Sequence, residues 1–330
     1  MPTPRKEQVA KNTSGYYHCI SRAVRRAYLC GIDKQTDSNY EHRRQWITDR
    51  LSLLAEQFAI DICAYAIMSN HYHLVLHVDY EQSLKWTAGE VVQRWCTLFP
   101  PKVMKDETSS ENDKQTQLDN LETNEEKVSL WRERLADLSW FMRCLNEPIA
   151  RQANREDNCT GRFWEGRFKS QALLDDAALI TCMAYVDLNP VRAKIAKTPE
   201  ESEFTSIAAR ISKPQAKTPE LQRFTPKKTK PQFEDILSNS YLPISQDEYF
   251  QLVDWSGCCI RDGKRGAIPK HIAPILQRLA IRETNWLDGV QHYGNYFYKV
   301  VGSISHLLEE SCRQGRCWLK GQGTARLLYQ

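Results

Sequence analysis

Residues 66–78 read Ala66-Ile67-Met68-Ser69-Asn70-His71-Tyr72-His73-Leu74-Val75-Leu76-His77-Val78, and this stretch decides the fold. Ser69-Asn70 is turn punctuation between two short runs rich in apolar and β-branched residues, so 60–68 and 71–78 read as successive strands. Side chains alternate along a strand, which places His71, His73, Val75 and His77 on one face and Tyr72, Leu74, Leu76 and Val78 on the other. The second face is apolar and belongs to a core. The first carries two imidazoles about 7 Å apart at the backbone, close enough to converge on one cation. His77 lies about 13 Å further along the strand from His73 and falls outside that reach.

Working outward, residues 16–22 form an aromatic and β-branched strand, and 39–58 carry apolar residues at helical spacing. Ser83 is placed to cap a helix running to about Cys96, which Pro100-Pro101 follows. The insertion 105–127 is polar and poor in aromatics and is expected to be disordered. Helical periodicity returns over 130–154, 168–174 reads as a strand, and Asp175-Asp176 opens a helix that ends near Asn189-Pro190. Removing one extra helix leaves a β-α-β-β-α-β order. The expected fold is therefore α+β, a ferredoxin-like antiparallel sheet with helices on one face. The expected division is a flexible arm (1–15), a catalytic domain (16–208), a linker (209–240) and a C-terminal helical module (241–330).

Composition narrows the function classes. No apolar run is long enough for a membrane span. The segment 1–6 lacks the apolar core of a secretory signal, so a cytoplasmic protein without a membrane partner is expected. The 11 cysteines form no C-x-x-C pair, which reads as reduced thiols and no zinc module. A formal charge of +4 permits nucleic-acid binding without demanding it. The basic residues cluster, however: Arg22, Arg25 and Arg26, then Arg162, Arg167 and Lys169, then Arg192 and Lys194. Arg22, Arg162, Arg167, Lys169 and Arg192 read either as solvated surface charge or as phosphate contacts. Phe163, Trp164 and Phe168 interleave with them, a pattern suited to base stacking and equally to core packing.

A histidine pair alone does not make a site. Tyr185 and Asn189, four apart, share one side of the helix after Asp176. A tyrosine beside a metal can act as a nucleophile, and a carboxamide oxygen can complete a ligand set. Taken alone, Tyr185 reads as a packing residue and Asn189 as a helix-ending residue before proline.

Residues 66–74 resemble the strand motif of the HUH single-tyrosine transposases. The segments Gly161-Arg162-Phe163-Trp164-Glu165-Gly166-Arg167-Phe168-Lys169-Ser170 and Tyr185-Val186-Asp187-Leu188-Asn189-Pro190-Val191-Arg192-Ala193 are similar to the repetitive-extragenic-palindrome-associated tyrosine transposases, over about residues 15–208. The resemblance implies a divalent metal, Mg²⁺ or Mn²⁺, held by His71 and His73 with Asn189 as third ligand. It further implies Tyr185 as nucleophile, single-stranded or hairpin DNA as partner, and a 5′-phosphotyrosine intermediate. Ser69 stands where the family motif has proline. Oligomeric state is open between monomer and homodimer, and a DNA-binding regulator on the same fold is the competing reading.

Overall fold

The protein is described by a computed structural model covering residues 12–24, 28–33, 37–212, 218–226, 241–262 and 268–330. Arg25, Arg26 and residues 263–267 lie outside the described residues, as do most of the arm and much of the linker.

The sheet is built from β1 (Gly15–Arg22), β2 (Ile60–Ile67), β3 (His71–Val78), β4 (Lys169–Leu173) and β5 (Val300–Val301). Their spatial order is β2-β3-β1-β4-β5. The first four strands pair antiparallel, and β5 adds a short parallel edge to β4 through Ala172↔Val300 and Leu173↔Val301. This is a mixed α+β architecture around a five-stranded, mostly antiparallel sheet.

The two faces bury different things. Tyr17, Cys19, Ile62, Tyr65, Tyr72, Leu74 and Leu76 pack on helices α1 (Arg43–Gln57) and α2 (Leu138–Glu156). Those helices are pinned together by Arg43, fully buried, whose guanidinium donates to Glu156 Oε2 at 2.7 Å and to Asp157. The continuous helical pattern over 130–154 is broken here into Glu125–Leu135 and α2, because Asp137 accepts from the Trp140 amide and starts a new helix.

The opposite face carries α3 (Asp176–Asp187), the helix of Tyr185. Every residue from Ala177 to Asp187 is buried, so α3 has no solvent face. A helix apolar all round must be covered all round. On one side lies the sheet, where Ala64 and Ala66 stand opposite Val75 and His73 and leave room for α3. On the other lies the C-terminal segment. Leu252, Ile275, Trp286, Val290, Tyr293 and Val301 share one core with α3.

One expectation is corrected by this packing: helices cover both faces of the sheet. Residues of the segment 241–330 pack into the core around α3. Asp175 shows the integration at one residue: it caps α3 through the Ala178 amide at 2.8 Å and accepts from the Ser303 amide at 2.6 Å. At the other end of α3, buried Asp187 accepts from Ser206, from the Ile207 amide at 2.9 Å and from Tyr249 Oη at 2.6 Å.

The insertion 105–127, expected to be disordered, carries the helix Glu111–Glu122. A Ser110/Asp113 capping box starts it, and Leu118 and Leu121 lay it against the helix Ala88–Leu98. Two apolar residues at helical spacing suffice where a neighbouring helix offers a groove, whatever the average polarity. No helix among the described residues is long and apolar enough to cross a membrane. None of the eleven cysteines is part of a disulfide, and most of them are buried.

Candidate active site

Antiparallel register builds the site row by row. Arg22 stands opposite His71, Ile20 stands between His73 and Lys169, and His18 stands between Val75 and Gln171. Directly opposed residues point to one face, so Arg22, His71, His73, Lys169, His18 and Gln171 all face α3. Tyr185 descends onto this row. Its ring lies edge-on to His73 with centroids 5.5 Å apart, and edge-on to His18 at 6.0 Å. The Arg192 guanidinium, one helical turn beyond α3, sits 4.5 Å over the Tyr185 ring. His71 and His73 are neighbours, with ring centroids 4.9 Å apart.

Hydrogen bonds orient the imidazoles. His71 Nδ1 meets Asn70 Oδ1 at 2.6 Å. His73 Nδ1 meets His18 Nε2 at 2.9 Å, and His18 Nδ1 meets Gln171 Oε1 at 2.7 Å. Burial pushes His18 and His71 down to about 4, the latter helped by the nearby Arg22 charge. Burial also holds His73 well below the usual imidazole range, reinforced by His18 and His71. All three rings are therefore neutral at pH 7, the state a metal ligand requires.

Two buried atoms beside the Tyr185 ring, His73 Nε2 and Arg192 Nη1, have no hydrogen-bond partner, and Tyr293 Oη is a third. The first offers a lone pair and the second a proton. Buried polar atoms left alone cost about 1–3 kcal/mol each, so such a pair marks a place where a ligand is expected. Among the described residues no group of three or more His, Cys, Asp or Glu side chains is arranged to hold a metal ion.

The remaining candidates sort by position. Asn189 is buried one turn beyond Tyr185, and among the described residues its side chain makes no hydrogen bond to either histidine. The loop 161–168 is stitched to the end of β1 by Val24 N to Phe163 O and Glu165 N to Arg22 O, both 2.9 Å. It carries exposed Arg162 and Arg167 to the His71 end of the sheet. Trp164 is half-buried, donates its indole N–H to Asn146 O at 2.9 Å and packs edge-on against Tyr72. Tyr72 points to the face away from the histidines, so Trp164 anchors the loop from the opposite side. Phe163 is buried in that same core, the packing alternative of the two readings open to it. His77 stacks on Tyr16 at 4.4 Å and meets Asp61 at 3.1 Å, apart from the His71–His73 pair.

Three residues at the site went unmarked in the sequence. His18 and Gln171 sit on strands whose facing parity only the register reveals. Tyr293, on α4 (Trp286–Tyr296), is fully buried with its ring 5.0 Å from that of Tyr185. The backbone comes as close: a Cβ at Gly294 would lie 3.2 Å from Tyr185 Oη. Tyr185 is accordingly only 8% exposed. The one available signal was the absence of a polar face on α3.

No protein-family model matches the sequence, and no curated protein matches it. Among solved structures the chain is similar to a REP-associated tyrosine transposase bound to a REP hairpin, at 13% identity and a TM-score of 0.33, over 64% of this chain and 86% of that one. A likeness of that grade carries no weight for function.

Proposed function

We propose that the chain is a DNA strand-cleaving and rejoining transposase of the HUH single-tyrosine kind, with Tyr185 as nucleophile. The observation that carries this reading is the pair of unpartnered buried atoms, His73 Nε2 and Arg192 Nη1, flanking the Tyr185 ring. A cation and an anionic oxygen satisfy them together, and a metal-bound phosphodiester supplies both. The strand order β2-β3-β1-β4 supports a ferredoxin-like core, with α1 and α2 as its two crossover helices.

His71 and His73 would hold the cation by nitrogen, with the Asn189 carboxamide, water or a phosphate oxygen completing the shell. Neutral imidazoles suit Mn²⁺ better than Mg²⁺, which prefers oxygen. When bound, the cation withdraws charge from the scissile phosphate and fixes its orientation. Arg192 contacts a non-bridging oxygen, while Arg22 and Lys169, on the same face, track the flanking backbone. Tyr185 Oη attacks phosphorus as its phenol proton passes to solvent, the bond from phosphorus to the 3′ oxygen breaks, and that oxygen takes a proton from solvent to leave as a 3′ hydroxyl. The 5′-phosphotyrosine bond replaces the phosphodiester bond, so a 3′ hydroxyl can reverse the step without a nucleotide cofactor.

One observation favours a second reading, a DNA-binding regulator that cuts rarely. Tyr293 and Gly294 close over Tyr185, so cleavage requires α4 to give way. Labelled single-stranded hairpin DNA with Mn²⁺, run on a denaturing gel, separates the readings. A transposase gives a slow covalent band that Tyr185→Phe abolishes while DNA binding persists. Continued cutting by Tyr185→Phe would establish a water-using nuclease, and binding with no band across varied hairpins would establish the regulator.

A further inference from the structure

We propose that His18 and Gln171 are positioning residues that fix His73 as its Nδ1–H tautomer, holding the Nε2 lone pair bare for a divalent cation. The inference rests on the reading of His73 as a cation ligand.

The assignment follows from counting protons along three side chains. Gln171 Oε1 is a carbonyl oxygen and only accepts, so His18 Nδ1, 2.7 Å away, carries the hydrogen. A neutral imidazole has one N–H, which leaves His18 Nε2 as a lone pair. That lone pair faces His73 Nδ1 at 2.9 Å, so His73 Nδ1 is the donor. His73, neutral in turn, has no hydrogen on Nε2, the atom that is buried without a partner. The near-parallel stacking of the two rings, 11° apart at 5.1 Å, and the edge contacts of His18 with Tyr185 and Tyr293 limit rotation of the chain. All three side chains stand on adjacent rows of one sheet face, so the relay is anchored in the rigid part of the fold. Metal-binding histidines generally give their other N–H to an acceptor that sets tautomer and ring angle. His71 has a side-chain oxygen, Asn70 Oδ1, in that place. His73 has a second imidazole, whose accepting state is itself set one step further out. The alternative is equally definite: a Gln171 amide turned to donate would reverse every proton in the chain and place a hydrogen on His73 Nε2.

The test uses the full chain with ¹⁵N-labelled histidine and no metal. Long-range proton–nitrogen correlation reads which nitrogen of each ring is protonated near pH 7. The expected result is His73 with a protonated Nδ1 and a bare Nε2; a protonated Nε2 overturns the relay. Mn²⁺ affinity, followed by the electron paramagnetic resonance of free Mn²⁺, is then compared among variants. Gln171→Glu only accepts and keeps wild-type affinity within about threefold. Gln171→Leu and His18→Phe weaken it about 10–100-fold. Equal loss in Gln171→Glu and Gln171→Leu, with both folded by circular dichroism, would sink the proposal, and Gln171→Leu decides the matter should His18→Phe fail to fold. Wild-type protein that binds no Mn²⁺ overturns the role assigned to the lone pair. Absence of DNA cleavage alongside the expected tautomer and Mn²⁺ binding removes the transposase reading and leaves the relay standing.

Discussion

Replacing Gly294 by alanine probes whether α4 really closes on the candidate nucleophile. Glycine inside an ordinary helix costs about 1 kcal/mol relative to alanine, so Gly294→Ala should stabilise the protein by about that amount if nothing opposes it. The new Cβ lies 3.2 Å from Tyr185 Oη and 3.9 Å from Cζ, closer to the oxygen than comfortable contact. Tyr185 has little room to retreat, because His73, His18, Tyr293 and Arg192 surround its ring. Overpacking at such a site costs about 1–3 kcal/mol, enough to cancel or reverse the helix gain. Removing the hydroxyl with Tyr185→Phe removes the opposing atom. A double-mutant cycle by urea denaturation should therefore show Gly294→Ala as neutral to destabilising in the wild type and stabilising by about 1 kcal/mol beside Phe at 185. The expected coupling is about 1–3 kcal/mol. Equal stabilisation of about 1 kcal/mol in both backgrounds would show that α4 does not rest on the tyrosine, and the closed site would have to be abandoned.

Charge and pH give two further expectations. Arg22→Ala with Lys169→Ala should weaken single-stranded DNA binding uniformly across sequences and lower the salt slope by about 0.7 per lost phosphate contact, read by fluorescence anisotropy between low and moderate salt; an unchanged slope would remove both from the DNA path. Glu248 accepts from Arg278 at 2.6 and 3.0 Å, and that partner above all holds its carboxyl down to about 2. A depressed carboxylate stabilises the fold at pH values above its unfolded value near 4.5, and the contribution is lost as pH falls from there towards 2. Arg278→Met should flatten the acid limb of thermal stability across that window, and a limb of unchanged steepness would count against the pair.

Much of this protein is legible from local pattern. Strand alternation in 71–78 put His71, His73 and His77 on one face, because side-chain parity is fixed by the backbone whatever packs above it, and the rise along the strand set His77 apart. The α3 signal, Asp175 before an apolar run, is equally local, and its cap bond is present. Basic clustering located Arg22, Lys169 and Arg192, which do gather on the Tyr185 face. Other features depend on which strand lies beside which. His18 and Gln171 reach His73 only because β1 lies between β3 and β4 in one register, and a shift of one residue would turn both away. The helix Glu111–Glu122 formed against expectation because its stability comes from a neighbouring groove that its own composition does not disclose.

The histidine pair with its turn was thus determined by the sequence alone, since alternation and turn chemistry act within ten residues. The tertiary structure decided how that pair is completed and covered. Gln171 and His18 stand 153 residues apart in the chain, and Tyr293 lies more than a hundred residues beyond Tyr185. Contacts at such separations come from burying a helix with no polar face between the sheet and the C-terminal segment. The demand for burial is written along α3, but the surface that meets it is found only when the chain has closed on itself.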